Sequence, residues 1–488
     1  MQATERQYQN YIGGKWADAA TDGVNDNSNP ADTGEALGRF PRSAREDVQR
    51  AVDAATTAYT SWRRSSATDR AAILDRAATI MERRADEIGR ALTLEEGKTI
   101  AEGVGETKRG ASILKFFAGE PWRPTGETYN SANPNTFLYT ERVPLGVVGV
   151  ITPWNFPVAI PIWKLAPLLA YGNVAIFKPA ELTPLTAHLI TEVFEEAGLP
   201  AGVLNLVHGP GSVVGNEIAR NPGIHGITFT GSTSVGRELY AIASARGARV
   251  QLELGGKNPV VVAADAKIEQ AVEIVLSGAM KSTGQKCTAT SRVIVEQPIE
   301  GAFTEALVER VKSIKVGPGI DTASYMGPLV SASAEKTVLD YIDIGKNEGA
   351  RLLTGGEKLA NDNLGQGYFV APTVFGDVRP EMRIAQEEIF GPVVGVIRAS
   401  NLDEAVQIAN GVKYGLSAAI ITTNIGTAFN FVRSIEAGVV HVNSETAGAE
   451  PHVPFGGFKD SSSFSREQGR AAMEFFTQTR TVYFDMPS

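Results

Sequence analysis

From Gly146 onward the chain alternates short β-branched runs with segments of helix length. The runs are GVVGVI, NVAIFK, VLNLV, GITFT and RVQLEL, and a second series follows with VVVAA, SRVIVE, VVGVI, SAAII and GVVHVN. Continuous apolar runs are the mark of strands covered on both faces, and parallel strands joined by helical crossovers supply that cover. Helix signals fall between the runs: Thr183 precedes Pro184 at a first helical position, and helices are expected up to about Lys281 and from Ala302 to Lys315. A chain of 488 residues has room for two such series, at about 100 to 200 residues per domain. The expected fold class is therefore α/β, with two doubly wound parallel-sheet domains. Ligands in such sheets sit beyond the carboxyl ends of the strands, so the loops after each run are the places to look for chemistry.

Upstream, the first hundred residues read as helices. Ser43 with Glu46 forms a capping box, and Val48, Val52, Ala55, Tyr59 and Trp62 then share one helix face. A second helical pattern runs from about Ala71 through Leu92. Residues Trp122 to Arg142, around an Asn133-Pro134-Asn135 turn, and Gln478 to Phe484 alternate polar with apolar, as strands outside either core do. An uncovered strand edge invites pairing, which suggests a β element shared between subunits.

The partner expected is a small molecule. Net charge is −9, with no basic run of five or more residues, which argues against nucleic acid or an anionic membrane. The most apolar stretch, Pro157 to Ala170, contains three prolines and Lys164 and is too short and broken to span a bilayer. The N-terminal MQATERQYQNYIGGKW has no apolar core of a secretion signal, so a cytoplasmic location is expected. The single cysteine excludes an intrachain disulfide, and the five histidines show no zinc-ligand spacing, so no metal is expected.

That cysteine, Cys287, lies in STGQKCTATSR after a helical stretch broken by Gly284. A lone cysteine is by default a small buried hydrophobe. Its polar, glycine-containing flanks argue otherwise, and Lys281 and Lys286 nearby favour the thiolate, which needs a carbonyl to attack. Glu253 ends the run RVQLEL. It is either a solvated turn residue or a carboxylate whose pKa is raised by burial among leucines, as suits a general base. In FTGSTSVGRELY the turn at Gly231, Ser232 and Gly236 can present N–H groups to a phosphate, although the spacing is not GxGxxG. Lys178-Pro179-Ala180-Glu181 ends NVAIFK, where a ribose lies in such folds; the alternative is an exposed ion pair. Asn155, in Pro153-Trp154-Asn155-Phe156-Pro157, either bridges turn backbone or donates to an oxyanion.

Taken together, PWNFP, FKPAE, FTGSTSVG, LELGGK, GQKC, EEIFGP and VPFGGFKDSS, in this order over nearly the whole chain, resemble the NAD(P)-dependent aldehyde dehydrogenase superfamily. The resemblance implies that Cys287 is the nucleophile, forming a thiohemiacetal whose oxyanion is held by the Asn155 amide and the Cys287 N–H. Hydride then passes to the nicotinamide, and Glu253 activates the water that hydrolyses the thioester. It implies that NAD, with NADP possible, lies along Ile151, Thr152, Pro153 and Trp154, with Lys178, Ala180 and Glu181 at the adenosine ribose. Gly211, Gly215, Phe229, Gly231, Ser232 and Leu254 follow toward the pyrophosphate, and Glu388 with Phe390 meets the nicotinamide ribose. Glu181 favours NAD by repelling a 2′-phosphate. Phe156, Trp163 and Phe455 are implied at the aldehyde, with Thr288 beside the nucleophile, while Lys286 is an unusual charge there that either lowers the thiol pKa or attracts a carboxylated substrate, the alternative being an outward-facing lysine on a polar loop.

The implied division is a dinucleotide-binding domain of residues 1–122 and 144–254, a catalytic domain of residues 255–455, and an oligomerisation element of residues 123–143 and 470–488, in a homodimer or homotetramer. The loop SETAGAEPHV and the GQKCTATSR segment look most like a bacterial subfamily acting on 2-oxoglutarate semialdehyde. The alternative is a broad-specificity aliphatic or aromatic aldehyde dehydrogenase. A CoA-acylating enzyme is disfavoured by Glu253, a structural protein without activity by the intact Cys287, Glu253, Asn155 and Lys178, and a cysteine hydrolase by the lack of a paired histidine.

Overall fold

The computed structural model describes residues 6–123, 125–360 and 364–486. Residues 1–5 and 487–488, the outer ends of the expected terminal segments, lie outside them. The first run series forms β1 (Val147–Ile151), β2 (Val174–Lys178), β3 (Leu204–Leu206), β4 (Gly226–Thr230) and β5 (Arg249–Glu253), mutually parallel in the order β5-β4-β1-β2-β3. The chain proceeds outward from β1 through β2 to β3 and then returns to β4 on the other side of β1. The crevice at the carboxyl end of β1 and β4 is therefore the topological switch point. The second series forms β6 (Asn258–Val262), β7 (Thr290–Glu296), β8 (Thr373–Gly376), β9 (Val393–Ala399), β10 (Ser417–Ile421) and β11 (Val439–Val442), parallel in the order β8-β9-β7-β6-β10-β11, with Arg351–Thr354 antiparallel at the β8 edge.

Among the described residues, four α-helices precede β1: α1 (Arg45–Trp62), α2 (Ala67–Arg83), α3 (Ala85–Glu96) and α4 (Ile100–Ala118). A fifth, α5 (Ala159–Ala170), follows β1 and is buried along its whole length, which explains the apolar stretch that contains Lys164. No helix among the described residues is long and apolar enough to cross a membrane. One apolar core, from Tyr11 to Leu254 with Ala472, Phe475 and Phe476, surrounds the first sheet, and two further clusters drawn from Val260 to Ala437 cover the faces of the second. Each fully buried Val, Ile, Leu or Phe in these layers contributes roughly 1.5 to 3 kcal/mol of transfer free energy.

Three expectations are corrected upstream of β1. The chain does not begin with helices: Asn10–Ile12, Lys15–Ala17, Val24–Asn29 and Asp32–Pro41 are strands. The cap of α1 is Ala44, whose N–H donates to Asp47 (2.8 Å), while Ser43 is buried and its hydroxyl accepts from Asn10 (2.8 Å). The pattern expected from Ala71 to Leu92 is two helices broken at Arg84. Downstream, the helix expected over Ala302 to Lys315 spans Glu300–Lys312. The alternating segments do pair, Thr136–Pro144 with Thr477–Asp485, antiparallel over nine residues in a third sheet.

Candidate active site

Cys287 owes its position to a strained turn. After the helix Ile268–Met280, three consecutive residues, Ser282, Thr283 and Gly284, have φ of 52°, 55° and 67°. The left-handed region costs a non-glycine residue about 1 to 2 kcal/mol, so the turn must be held from outside. Glu102 on α4 accepts from the Ser282 N–H (2.8 Å) and hydroxyl (3.0 Å), the Thr283 hydroxyl donates to the Gly327 carbonyl (3.1 Å), and the Gln285 side chain accepts from the Val330 N–H (3.0 Å). At Gly284 a Cβ would strike the Gly391 carbonyl. The turn delivers Cys287, half-buried, to a cavity of about 350 Å³ that also takes in Phe156, Trp163, Lys286, Thr288 and Phe455.

Asn155 reaches the same loop. Its side-chain amide donates to the Gln285 carbonyl (3.0 Å), two residues before the cysteine, which fixes one amide hydrogen and leaves the other available. Its own carbonyl accepts from the buried Lys98 (2.7 Å), whose ammonium also pairs with Glu106 (2.9 Å) and lies 4.2 Å from the centre of the Phe156 ring. Glu106 in turn accepts from the N–H groups of Val158 (2.9 Å) and Ala159 (3.0 Å) at the start of α5. A single helix, α4, thus ties down both the cysteine loop and the asparagine loop.

Electrostatics correct one expectation. Burial, followed by the Glu388 and Glu253 carboxylates, pushes the Cys287 thiol up to about 12 against the pull of the Thr288 and Cys287 N–H groups. Lys281 and Lys286 therefore do not make it a thiolate. Lys286 is buried, donates to the Ser277 carbonyl (3.3 Å) and faces Glu445 at 3.7 Å. In the ligand-free protein, alkylation of Cys287 by iodoacetamide should quicken about tenfold per pH unit from about pH 7 to about pH 10. A plateau below about pH 8 would contradict this.

Glu253 ends β5, buried, with one oxygen accepting from the Ser462 hydroxyl (3.0 Å) and the other without a partner. Burial and then the Glu467 carboxylate raise its pKa well above the ordinary value, the direction expected from its leucine neighbours. Glu467 is ion-paired with Lys164 of α5, and Thr228 bonds both. Sequence reasoning missed this pair. The signal was Lys164 itself, because a lysine in an otherwise apolar buried helix requires a carboxylate partner. The backbone of Glu467 pairs with Phe455 in both directions (2.7 and 2.8 Å), and Phe455 lies 5.5 Å from Trp163, ring centre to ring centre.

The residues expected at a dinucleotide gather at the carboxyl ends of β1 to β4. Thr152, Pro153 and Trp154 follow β1. Lys178, Ala180 and Glu181 follow β2, Gly211 and Gly215 bracket a turn after β3, and Ser232 caps the helix Thr233–Ala245 after β4. The Lys178 ammonium is buried, bonds only the Pro179 carbonyl (2.8 Å), and is pulled down to about 8 by burial, with Glu181 opposing. The Lys178–Glu181 surface ion pair does not form. Ile151, Phe229 and Leu254 are buried in the packing beneath, and Gly231 sits over the Phe229 ring.

From the second sheet, Glu388 is pushed up to about 7 by burial and accepts from the Gly256 N–H (3.1 Å), which only a glycine at 255 permits, since a Cβ there would meet the Glu388 carboxylate. Phe390, at φ 59°, meets Trp154 edge-on at 5.4 Å. The crevice fits a dinucleotide. Thr152 and Thr230, at the ends of β1 and β4, have buried hydroxyls without partners, Ser232 makes no cap bond with its side chain, and the space beside Gly211 and Gly215 is open.

The sequence pattern of the aldehyde dehydrogenase family matches residues 16–482. The chain belongs to the aldehyde dehydrogenase family. Among curated proteins it is 52% identical to an α-ketoglutaric semialdehyde dehydrogenase of Bacillus subtilis, with 98% of each chain covered. It is 47% identical to an α-ketoglutarate semialdehyde dehydrogenase of Haloferax volcanii, over 97% of this chain and 98% of that one. Among solved structures, betaine aldehyde dehydrogenase of Staphylococcus aureus in complex with NAD+ superposes with a TM-score of 0.96 at 34% identity, covering 99% of this chain and 95% of that one. The family expected from PWNFP, LELGGK and GQKC is therefore borne out, as is the α/β fold class.

Proposed function

We propose that this aldehyde dehydrogenase oxidises 2-oxoglutarate semialdehyde to the dicarboxylic acid with NAD as acceptor. The observation that carries the reading is the Cys287 loop, bonded by the Asn155 amide two residues before the cysteine and close enough to buried Glu253 for its charge to act on the thiol, in a chain whose curated relatives bear that substrate in their names. Lys178 and Glu181 hold the adenosine ribose, Ser232 and the turn of residues 211–215 the pyrophosphate, and Glu388 the nicotinamide ribose. The bound nicotinamide supplies a two-electron acceptor beside the cysteine.

The ionised fraction of Cys287 attacks the aldehyde carbon, and the charge that develops on oxygen falls between the free Asn155 amide hydrogen and the Cys287 N–H. Phe156, Trp163 and Phe455 form the aromatic sleeve around the chain, and Thr288 and Lys286 line the same cavity. Oxidation leaves a thioester on Cys287. Glu253, its pKa raised well above the ordinary value by burial and Glu467, then takes a proton from the water that hydrolyses the thioester.

The division into residues 1–122 with 144–254, residues 255–455, and residues 123–143 with 470–488 belongs to the same proposal; the separate cores of the two sheets support its first two parts, while Ala472, Phe475 and Phe476 of the third pack into the first core. A homo-oligomer built on the third sheet, which exposes Tyr129, Phe137, Tyr483 and Phe484, belongs to it too. A reducing cytoplasm suits an enzyme whose one thiol must stay free.

The test follows NADH release. kcat/KM for 2-oxoglutarate semialdehyde should exceed that for pentanal by about 30-fold or more, the worth of one charge-assisted contact. NAD should be preferred to NADP, because Glu181 carries an uncommitted carboxylate where a 2′-phosphate would sit. Equal turnover of both aldehydes would favour the broad-specificity alternative, and a clear NADP preference would refute the role of Glu181.

A further inference from the structure

The proposed substrate carries a carboxylate at the end remote from its aldehyde, and the cavity above Cys287 contains an answering charge that no sequence motif marks. Along α4, Glu102, then Gly105 and Glu106, then Arg109 fall on one face at steps of three and four residues and line the cavity. Each carboxylate in the wall has at least one polar partner, although Glu445 Oε2 is buried with no hydrogen-bond donor and only faces Lys286. Glu102 bonds Thr99 and Ser282, Glu106 bonds Lys98 and the start of α5, and Glu445 bonds Ser277 and faces Lys286.

The cations are not balanced in the same way. Lys98 and Lys286 are matched by Glu106 and Glu445, and Lys281 is exposed at the rim. Arg109 is half-buried, with no hydrogen bond or ion pair to any described residue, and its Nη2 is buried without an acceptor. Glu106 and Glu450 act on it only from beyond ion-pair distance, and burial lowers its pKa. A guanidinium stays ionised at any working pH, and a buried N–H left unbonded costs about 1 to 3 kcal/mol. Such a group in a ligand cavity is set up for an anionic acceptor that arrives with the ligand, and its planar fork matches a carboxylate.

We propose that Arg109 binds the distal carboxylate of the substrate and so makes the enzyme selective for aldehydes that are also acids. This rests on the semialdehyde reading above. It places the aldehyde at Cys287, the carbon chain against the aromatic sleeve, and the acid end on α4, the helix that also holds the cysteine and asparagine loops.

The measurement is the ratio of kcat/KM for 2-oxoglutarate semialdehyde to that for pentanal in the wild type, Arg109→Met and Arg109→Lys. Arg109→Met should lower the ratio roughly 10- to 100-fold, mainly through KM for the acid, and Arg109→Lys should restore part of it, because the charge returns without the fork. Glutarate, which keeps the acid end but cannot react, should shield Cys287 from iodoacetamide in the wild type and not in Arg109→Met, with NADH binding as the check on folding. A wild-type preference for the acid that survives Arg109→Met, or glutarate protection unchanged in that variant, overturns the role of Arg109 and leaves the semialdehyde reading standing. A wild type without preference for the acid overturns both.

Discussion

Replacing Cys287 with alanine is expected to lower kcat for aldehyde oxidation by about four orders of magnitude or more, the scale on which removal of a covalent nucleophile acts. NAD binding should persist. The two effects separate because the cysteine stands on the turn of residues 282–284, held by Glu102, Gly327 and Val330, whereas the crevice at the ends of β1 to β4 is built by other elements. The sulfur itself makes no bond that the turn depends on, and a shorter side chain leaves the oxyanion donors in place. Loss of activity without loss of cofactor binding, measured by NADH release and by NADH fluorescence titration, is the expected pair. An alanine variant that retains more than about a hundredth of wild-type kcat would remove covalent catalysis from the account.

Glu253→Gln should divide the reaction in two. Loss of a general base costs about 10² to 10⁴ in the step it serves, so steady-state turnover should fall by that factor. The first turnover should survive, giving a burst of NADH close to one per active site. The pH dependence has a definite sign. A base works only when deprotonated, and burial and Glu467 raise the pKa of Glu253. Wild-type turnover should therefore rise with pH through that elevated pKa, on a limb displaced upward from the ordinary glutamate range, and the variant should lose the limb. Loss of the burst together with turnover would assign Glu253 to the first half-reaction instead.

The parts of the molecule that could be read in the sequence are those where one physical demand dominates a short segment. Strands covered on both faces are dominated by apolar residues, so β1, β2, β4, β6, β9 and β10 stand out as runs. The N-terminal ribbon does not, because Val24–Asn29 is VNDNSN, polar and partly exposed, and only its pairing with Asp32–Pro41 makes it a strand. The cap of α1 slipped by one residue because Ser43 has a tertiary partner, Asn10, which no local rule contains. The same division runs through the site. Cys287, Glu253 and Asn155 could be singled out from strand ends and loops. Lys98, Arg109, Lys164 and Glu467 belong to helices or distant loops and take meaning only from what they meet across the fold. Lys286 lines the cavity as expected, but it does not favour the thiolate, because its neighbours in sequence are polar while its neighbours in space bury it and Glu445 faces it.

The claim on which the rest depends is that substrate carbon becomes bonded to the Cys287 sulfur. Intact-mass and peptide-mass analysis of Glu253→Gln, quenched with acid after mixing with NAD and 2-oxoglutarate semialdehyde, addresses it directly. One acyl group per chain is expected, on the peptide that contains Cys287, removable by hydroxylamine as a thioester is. An unmodified Cys287 in a sample that has released its burst of NADH would contradict the claim.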